Sequence, residues 1–365
     1  MTLVLTGLIR GAWTLVWLVL NLLVLLVYEV AACSLRPFSR SLYRRAIGRC
    51  FALYVEIMAR SFPKCDLIVS GDMPTDTSKP VFIIANHQVD ADWWYLSELM
   101  RCVGAAGNLK IAMKHTLRSL PLVGWGMEMN DFLFLHRDIK LDRPLIQAHM
   151  QSFVQDNFPF WMLLFPEGTT IYSEYVTKSH EFAQQQKRPR LHRVLLPRTT
   201  GLKLMLESFK DSPIQPEIYD ITMGFPGYSG EVPTYDMFYD RNIDVQLPTM
   251  NKLFMGQGPS KVYLHCRRFT MDQVGPDVEQ FLDTLWVEKE VMMNEFIEHQ
   301  CFQSKKDTSR VLRPSTSSKA VGQLWFAGFA SFCLFPMLFA CYLIGRFLRF
   351  IFGGIKIIPK TLRTD

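Results

Sequence analysis

From Gly11 to Tyr28 the chain is almost entirely apolar and uncharged, approaching the ~20 residues that a bilayer-crossing helix needs. Glu29 follows, and then a basic run of Arg36, Arg40, Arg44, Arg45 and Arg49. Ala31-Ala32-Cys33 resembles a signal-peptide cleavage site, but the apolar run is longer than a signal peptide's, so the pattern predicts an uncleaved anchor. The positive-inside bias places the basic side, and the chain after it, in the cytosol. A second apolar run covers Leu324–Gly345. Arg346 and Arg349 interrupt it before Phe350–Ile358 resumes the apolar character. A second short pass, a hairpin with both ends cytosolic, and an interfacial helix with snorkelling arginines all fit this pattern.

Between these ends the periodicity changes. Leu42, Ile47, Phe51, Leu53, Tyr54, Ile57 and Met58 recur at helical spacing among arginines, which predicts an amphipathic helix over residues 40–61. Such a helix either packs on the domain or lies at the lipid surface. Strand-like runs follow at Val81–Ala85, Leu109–Met113, Phe132–Leu135, Trp161–Phe165, Glu217–Phe225 and Val262–Cys266. Helical stretches such as Leu141–Val154 separate several of them. The alternation predicts an α/β fold: a central, mostly parallel or mixed sheet flanked by helices, with N- and C-terminal membrane helices. Residues 1–35 are the expected anchor, 36–303 the folded domain, 304–320 a Ser/Thr/Lys/Arg-rich linker, and 321–365 the C-terminal membrane segment.

Composition narrows the class. Apolar residues make up 49% of the 365, enough for a sizeable core plus the apolar ends. A net charge of +6 is too mild to argue for nucleic acid, and no nucleic-acid pattern or Gly-rich phosphate loop is present. The eight cysteines show no CxxC and no regular spacing, which reads as reduced thiols rather than a disulfide frame.

Four places carry candidate chemistry. His87 follows the run Val81–Ala85, where a βα loop presents it to a cleft. A lone histidine there is more often structural than catalytic, but Asp92 changes that balance. If a helix starts near Ala91, a carboxylate in its first turn reaches back to the imidazole, fixes the tautomer and stabilises the imidazolium. Asp90 is the competing acid; it is alternatively a helix cap. His87, Asp90 and Asp92 lack further obvious ligands nearby, so no metal is expected. No Gly-x-Ser-x-Gly elbow supplies a nucleophile, which leaves a substrate hydroxyl as the attacking group, without an acyl-enzyme. Pro166 ends the run Trp161–Phe165, and Gly168 lets the backbone approach a ligand; the plain alternative is a tight strand-to-helix turn. Arg137 ends Phe132-Leu133-Phe134-Leu135-His136 and is either a surface arginine or a bidentate phosphate ligand. Lys114 is a second candidate cation, Arg198 is a third, and His136 reads as structural.

Asn86-His87-x4-Asp92 and Phe165-Pro166-Glu167-Gly168-Thr169 together resemble the first and third blocks of the lysophospholipid acyltransferase family. Lys114–Trp125 with Phe132–Arg137 is similar to the second block, and Leu196-Pro197-Arg198-Thr199-Thr200-Gly201-Leu202 to the fourth, in the branch containing lysocardiolipin and lysophosphatidylinositol acyltransferases. The resemblance spans roughly Gly71 to Arg268. It selects Asp92 over Asp90 as the acid partner of His87. It makes Glu167, Gly168 and Thr169 part of the acyl-acceptor site, with Glu167 on a glycerol hydroxyl and amides near Gly168 on an anion. It makes Arg137, Lys114 and Arg198 phosphate contacts. Thr170 follows the block, at a position where the family often carries a polar or charged residue that would bear on headgroup contacts. The implied protein is a multi-pass enzyme of the endoplasmic reticulum membrane facing the cytosol. It would use acyl-coenzyme A as co-substrate, a membrane lysophospholipid as acceptor, and no cofactor. A coenzyme-A-independent transacylase and a non-catalytic scaffold are the rival readings.

Overall fold

The computed structural model describes residues 2–233, 247–302 and 309–315; the expected C-terminal membrane segment, 321–365, lies outside the described residues. The helices are α1 (Thr2–Cys33), α2 (Arg40–Ser61), α3 (Asp92–Cys102), α4 (Val123–Met129), α5 (Ile139–Asp156), α6 (Ser173–Gln186), α7 (Thr200–Glu207), α8 (Met250–Phe254), α9 (Met271–Val274) and α10 (Val278–His299). The strands are β1 (Asp66–Gly71), β2 (Val81–Ala85), β3 (Leu109–Lys114), β4 (Leu133–Leu135), β5 (Trp161–Leu164), β6 (Glu217–Gly224), β7 (Lys261–Phe269) and β8 (Arg310–Leu312). They form one eight-stranded sheet in the order β4-β3-β5-β2-β6-β7-β1-β8.

The sheet is mixed. β4, β3, β5, β2 and β6 run parallel to their neighbours, β7 is antiparallel to β6 and parallel to β1, and β8 is antiparallel to β1. β2 and β5 are central and fully buried, as expected for strands covered on both faces. Their sequences, Val-Phe-Ile-Ile-Ala and Trp-Met-Leu-Leu, are continuous apolar runs for that reason. Because the five strands from β4 to β6 are parallel, their carboxyl ends open on one edge, where α/β sheets place their ligand sites. Two strands do not stand out in the sequence pattern. β1 is a short run between polar flanks, and β8 falls inside the polar stretch expected as a linker.

α2 packs on the domain rather than standing free. It buries Tyr43, Ile47, Gly48, Val55 and Met58. Its buried Arg44 donates to Asp131 at 2.8 Å and Asp156 at 2.5 Å, and to the Ser152 carbonyl at 3.0 Å. Paired in this way, a buried guanidinium ties α2 to α5. α1 is the one helix among the described residues long and apolar enough to cross a membrane. It is packed along its length. Gly7 and Gly11 face Phe254 and Met255 beside α8, while Asn130 donates to Glu29 at 3.2 Å at the far end. Its opposite face exposes Leu8, Ile9, Trp13, Val16, Leu20 and Leu23. That exposed face is mostly apolar, with Thr6 and Arg10 as its polar members near the N-terminus.

α2 crosses the turn Ala106–Asn108 closely: a Cβ on Gly48 would lie 2.4 Å from the Gly107 carbonyl oxygen. Gly48→Ala therefore sets a helix-propensity gain of ~1 kcal/mol against an overpacking cost of about 1–3 kcal/mol. The obstacle is backbone, so we expect net destabilisation and a lower thermal midpoint in detergent. A raised midpoint would show that α2 is not seated on this turn.

Candidate active site

The reactive loop leaves β2 at Ala85 and is pinned at once. Buried Asn86 accepts from the Met223 amide at 2.8 Å and donates to the Met223 carbonyl at 3.0 Å, which fastens the loop to β6. α3 then starts at Asp92. Asp92 is fully buried, and its Oδ2 accepts from His87 Nδ1 at 2.9 Å, the Gln88 amide at 2.6 Å and the Val89 amide at 3.0 Å. Burial raises the Asp92 carboxyl above the usual carboxylate range, while the imidazole and the two amides pull it back. With the carboxylate accepting at Nδ1, the imidazole carries its proton there and presents the Nε2 lone pair outward. The ring stacks on Phe165, centroids 4.1 Å apart and planes 17° apart, which leaves 18% of the side chain exposed. Asp90 points elsewhere: its Oδ1 accepts from the Met250 amide at the start of α8, at 3.0 Å. The geometry thus gives the imidazole to Asp92 and gives Asp90 a bond to α8 rather than a cap on α3.

β5 delivers the second half of the site. Gly168 sits at φ +76°, in the left-handed region that favours glycine, and its amide donates to the Phe165 carbonyl at 2.9 Å. The Ile171 amide donates to the His87 carbonyl at 2.9 Å, so the two loops are joined. Glu167 differs from the expectation that it touches a glycerol hydroxyl. It is 3% exposed, Oε1 accepts from the His87 amide at 3.2 Å and Trp286 Nε1 at 3.3 Å, and Oε2 accepts from the Leu195 amide at 3.0 Å. Protein donors therefore take up both oxygens. Burial pushes this carboxyl up to about 8, against the lowering effect of those donors and of Lys289.

The cations gather at the same edge. Arg137, at φ +66°, is held by Asp142, which accepts from the His136 and Arg137 amides at 2.8 Å each. Its guanidinium donates to the Gly168 carbonyl at 2.5 Å. The Arg198 amide donates to the Pro166 carbonyl at 2.8 Å, and its Nε would lie 3.0 Å from a Cβ on Gly168. Desolvation, and then the Arg137 charge, lower Arg198 from its ordinary value. Neither arginine forms an ion pair with a carboxylate among the described residues. The Gly168 turn therefore lies between two guanidiniums, an arrangement that suits a phosphate. Lys114 ends β3 on the same edge, exposed and paired in register with Leu135, but no bond links it to His87. Half-buried Thr169 follows the turn. His136 stacks on His115 at 3.9 Å. Sequence reasoning assigned no role to Asn86, Phe165 or Trp286. Asn86 had a signal, a buried amide directly after an apolar strand, whereas Trp286 had none.

These motifs sit on matching sequence families. Residues 66–220 match the Acyltransferase family and residues 252–325 match the Acyltransferase C-terminus family. The chain belongs to the acyltransferase family, and it is an acyltransferase. It is 29% identical over 297 residues to a probable 1-acyl-sn-glycerol-3-phosphate acyltransferase 5 of Arabidopsis thaliana, covering 79% of this chain and 73% of that protein. It is 27% identical over 299 residues to lysocardiolipin acyltransferase 1 of Gallus gallus, covering 80% and 73%. Among solved structures, the 1-acyl-sn-glycerophosphate acyltransferase PlsC of Thermotoga maritima aligns at a TM-score of 0.41 and 17% identity, over 81% of this chain and 100% of that one.

Asp92→Asn leaves the fold of the loop but offers the imidazole an amide in place of a carboxylate, so turnover should fall by about 10²-fold or more. Asp90→Asn keeps an oxygen for the Met250 amide and should stay within a few-fold of the parent. Steady-state turnover of the two purified variants checks this; the reverse ranking would exchange their roles.

Proposed function

We propose that this chain transfers a fatty acyl group from acyl-coenzyme A to the free hydroxyl of a lysophospholipid. The observation that carries the reading is the outward Nε2 of His87 next to a turn flanked by Arg137 and Arg198. The guanidiniums take the acceptor's phosphate and hold the glycerol hydroxyl near Nε2. Nε2 accepts the hydroxyl proton as the oxygen attacks the thioester carbonyl. The C–O bond forms, the C–S bond breaks, and the thiolate leaves with the proton returned by the imidazolium. Asp92 stabilises the imidazolium between the two steps. No protein nucleophile takes part, so transfer is direct. Acceptors with a phosphate beside a free glycerol hydroxyl fit this site: lysophosphatidic acid, lysophosphatidylinositol and lysocardiolipin. The lipid-facing side of α1 keeps the domain at the bilayer, where acceptor and product reside.

Purified protein with one acyl-coenzyme A and a panel of these three lysolipids should release thiol only when a preferred acceptor is present. His87→Ala should lower that turnover by about 10²-fold or more. Arg137→Ala should mainly raise the apparent KM for the acceptor, by up to about tenfold for a partly solvated charge-assisted contact, and Arg137→Lys should restore part of it. Near-normal turnover in His87→Ala would end this mechanism. An effect of Arg137→Ala confined to acyl-coenzyme A would move that arginine to the donor.

We place the enzyme in the endoplasmic reticulum membrane, and the basic run after α1 supports a catalytic face on the cytosolic side, where acyl-coenzyme A is supplied. In sealed microsomes, glycosylation sites engineered into residues 304–318 should remain unmodified and outside protease should cut there. Efficient glycosylation would place the site in the lumen.

A further inference from the structure

Trp286 and Lys289 lie about one turn apart on α10, and both are fully buried. Lys289 seats the helix on the sheet. Its Nζ is 2.6 Å from Asp220 Oδ1 and donates to the Ile221 carbonyl at 2.9 Å and Thr222 Oγ1 at 3.0 Å, all on β6. Arg267 of β7 holds the other oxygen of Asp220 at 2.6 Å. Trp286, fixed by this register, donates its indole N–H to Glu167 Oε1 at 3.3 Å. The same oxygen accepts the backbone N–H of His87 at 3.2 Å. A single buried oxygen thus joins α10 to the main chain of the histidine whose ring is held by Asp92.

We infer that Trp286 is a positioning residue for His87: its indole N–H fixes the rotation of the Glu167 carboxyl, and that carboxyl fixes the His87 amide. The inference rests on the reading of His87 as the general base. A buried tryptophan N–H ordinarily finds some partner. Here the partner is the carboxyl whose rotation would release the histidine amide. His87 is also held at its carbonyl by the Ile171 amide, at its ring by Asp92, and through Asn86 by β6. All of those partners lie within or beside the reactive segments. Trp286 alone in this set comes from the C-terminal part of the chain, 119 residues beyond Glu167. The Leu195 amide holds the other oxygen, Oε2, at 3.0 Å, so loss of the indole N–H leaves the carboxyl anchored at Oε2 and loosens it at Oε1, the oxygen that meets His87. A displacement of ~1 Å at a reacting group can cost about 10²-fold in rate, and a partial loosening costs less. Trp286 is fully buried, out of reach of a substrate in solvent, so substrate binding should be left alone.

The test measures kcat and KM of the full-length chain in detergent for Trp286→Phe, Glu167→Gln and the double variant. A fourth protein carries 3-benzothienylalanine at position 286, which replaces only the N–H by sulfur and keeps the ring shape. Expected are a fall in kcat of about tenfold for Trp286→Phe and for the benzothienyl protein, with both KM values within about twofold of the parent. The double variant should be no slower than the slower single variant, because both changes act through the one side chain at position 167. A benzothienyl protein with parental kcat would overturn the inference, as would a Trp286→Phe change that lowers only the thermal midpoint. Multiplying effects in the double variant would also overturn it. Absence of acyl transfer in the parent would instead sink the function from which the inference starts.

Discussion

Asp92 Oδ2 is the atom around which the site is built. It gathers the His87 ring and the Gln88 and Val89 amides within 3.0 Å, and it does so from the first turn of α3. A carboxylate with no solvent contact is costly unless donors compensate it. Three donors on Oδ2 and the positive end of a helix offset part of that cost, while Oδ1 is buried without a hydrogen-bond partner and the carboxyl stays raised. The same contacts close the loop after β2 into a tight turn and aim the imidazole outward. Loop geometry and imidazole orientation therefore rest on one atom: the donors that offset the burial of Asp92 are met only when the loop after β2 is closed around it.

The parallel half of the sheet explains why distant motifs meet. β2 and β5 are hydrogen-bonded neighbours, although β3 and β4 lie between them in sequence. Their carboxyl ends set His87 beside the Glu167-Gly168 turn, and β4, two strands away from β5, brings Arg137 across to the Gly168 carbonyl. The positive φ of Gly168 turns the backbone between Arg137 and Arg198. Two guanidiniums without a carboxylate partner among the described residues repel each other, and an anion between them would relieve that repulsion.

Much of this was legible in the chain because burial writes itself as pattern. β2 and β5 are apolar throughout, being covered on both faces, and a helix forms over 40–61 as its spacing predicts, although its buried face runs through Tyr43, Arg44, Gly48 and Val55 as well as Ile47, Ile57 and Met58 and leaves Leu42 exposed. The His87–Asp92 spacing could be read as a ring-to-helix contact before any coordinates. Other parts were not legible for stated reasons. β8 is three residues in a polar stretch, held by pairing with β1 rather than by its own preference. Arg44 is a charged residue in a helix of arginines, and nothing local says that Asp131 and Asp156 wait for it. Glu167 reads from its motif as a ligand to substrate, whereas its oxygens face backbone amides and an indole far along the chain. That arrangement is set by tertiary contacts to Leu195 and Trp286, which no local spacing encodes.

The central claim is that the acceptor's own hydroxyl attacks the thioester, with His87 as base and no covalent acyl-enzyme. Rapid quench of the purified parent with radiolabelled acyl-coenzyme A, in the absence and then in the presence of lysolipid, tests it most directly. The account predicts no acid-stable label on the protein in either condition, and thiol release in step with labelled phospholipid only when the acceptor is added. A burst of protein-bound acyl group, formed without acceptor and discharged when lysolipid is supplied, would contradict it.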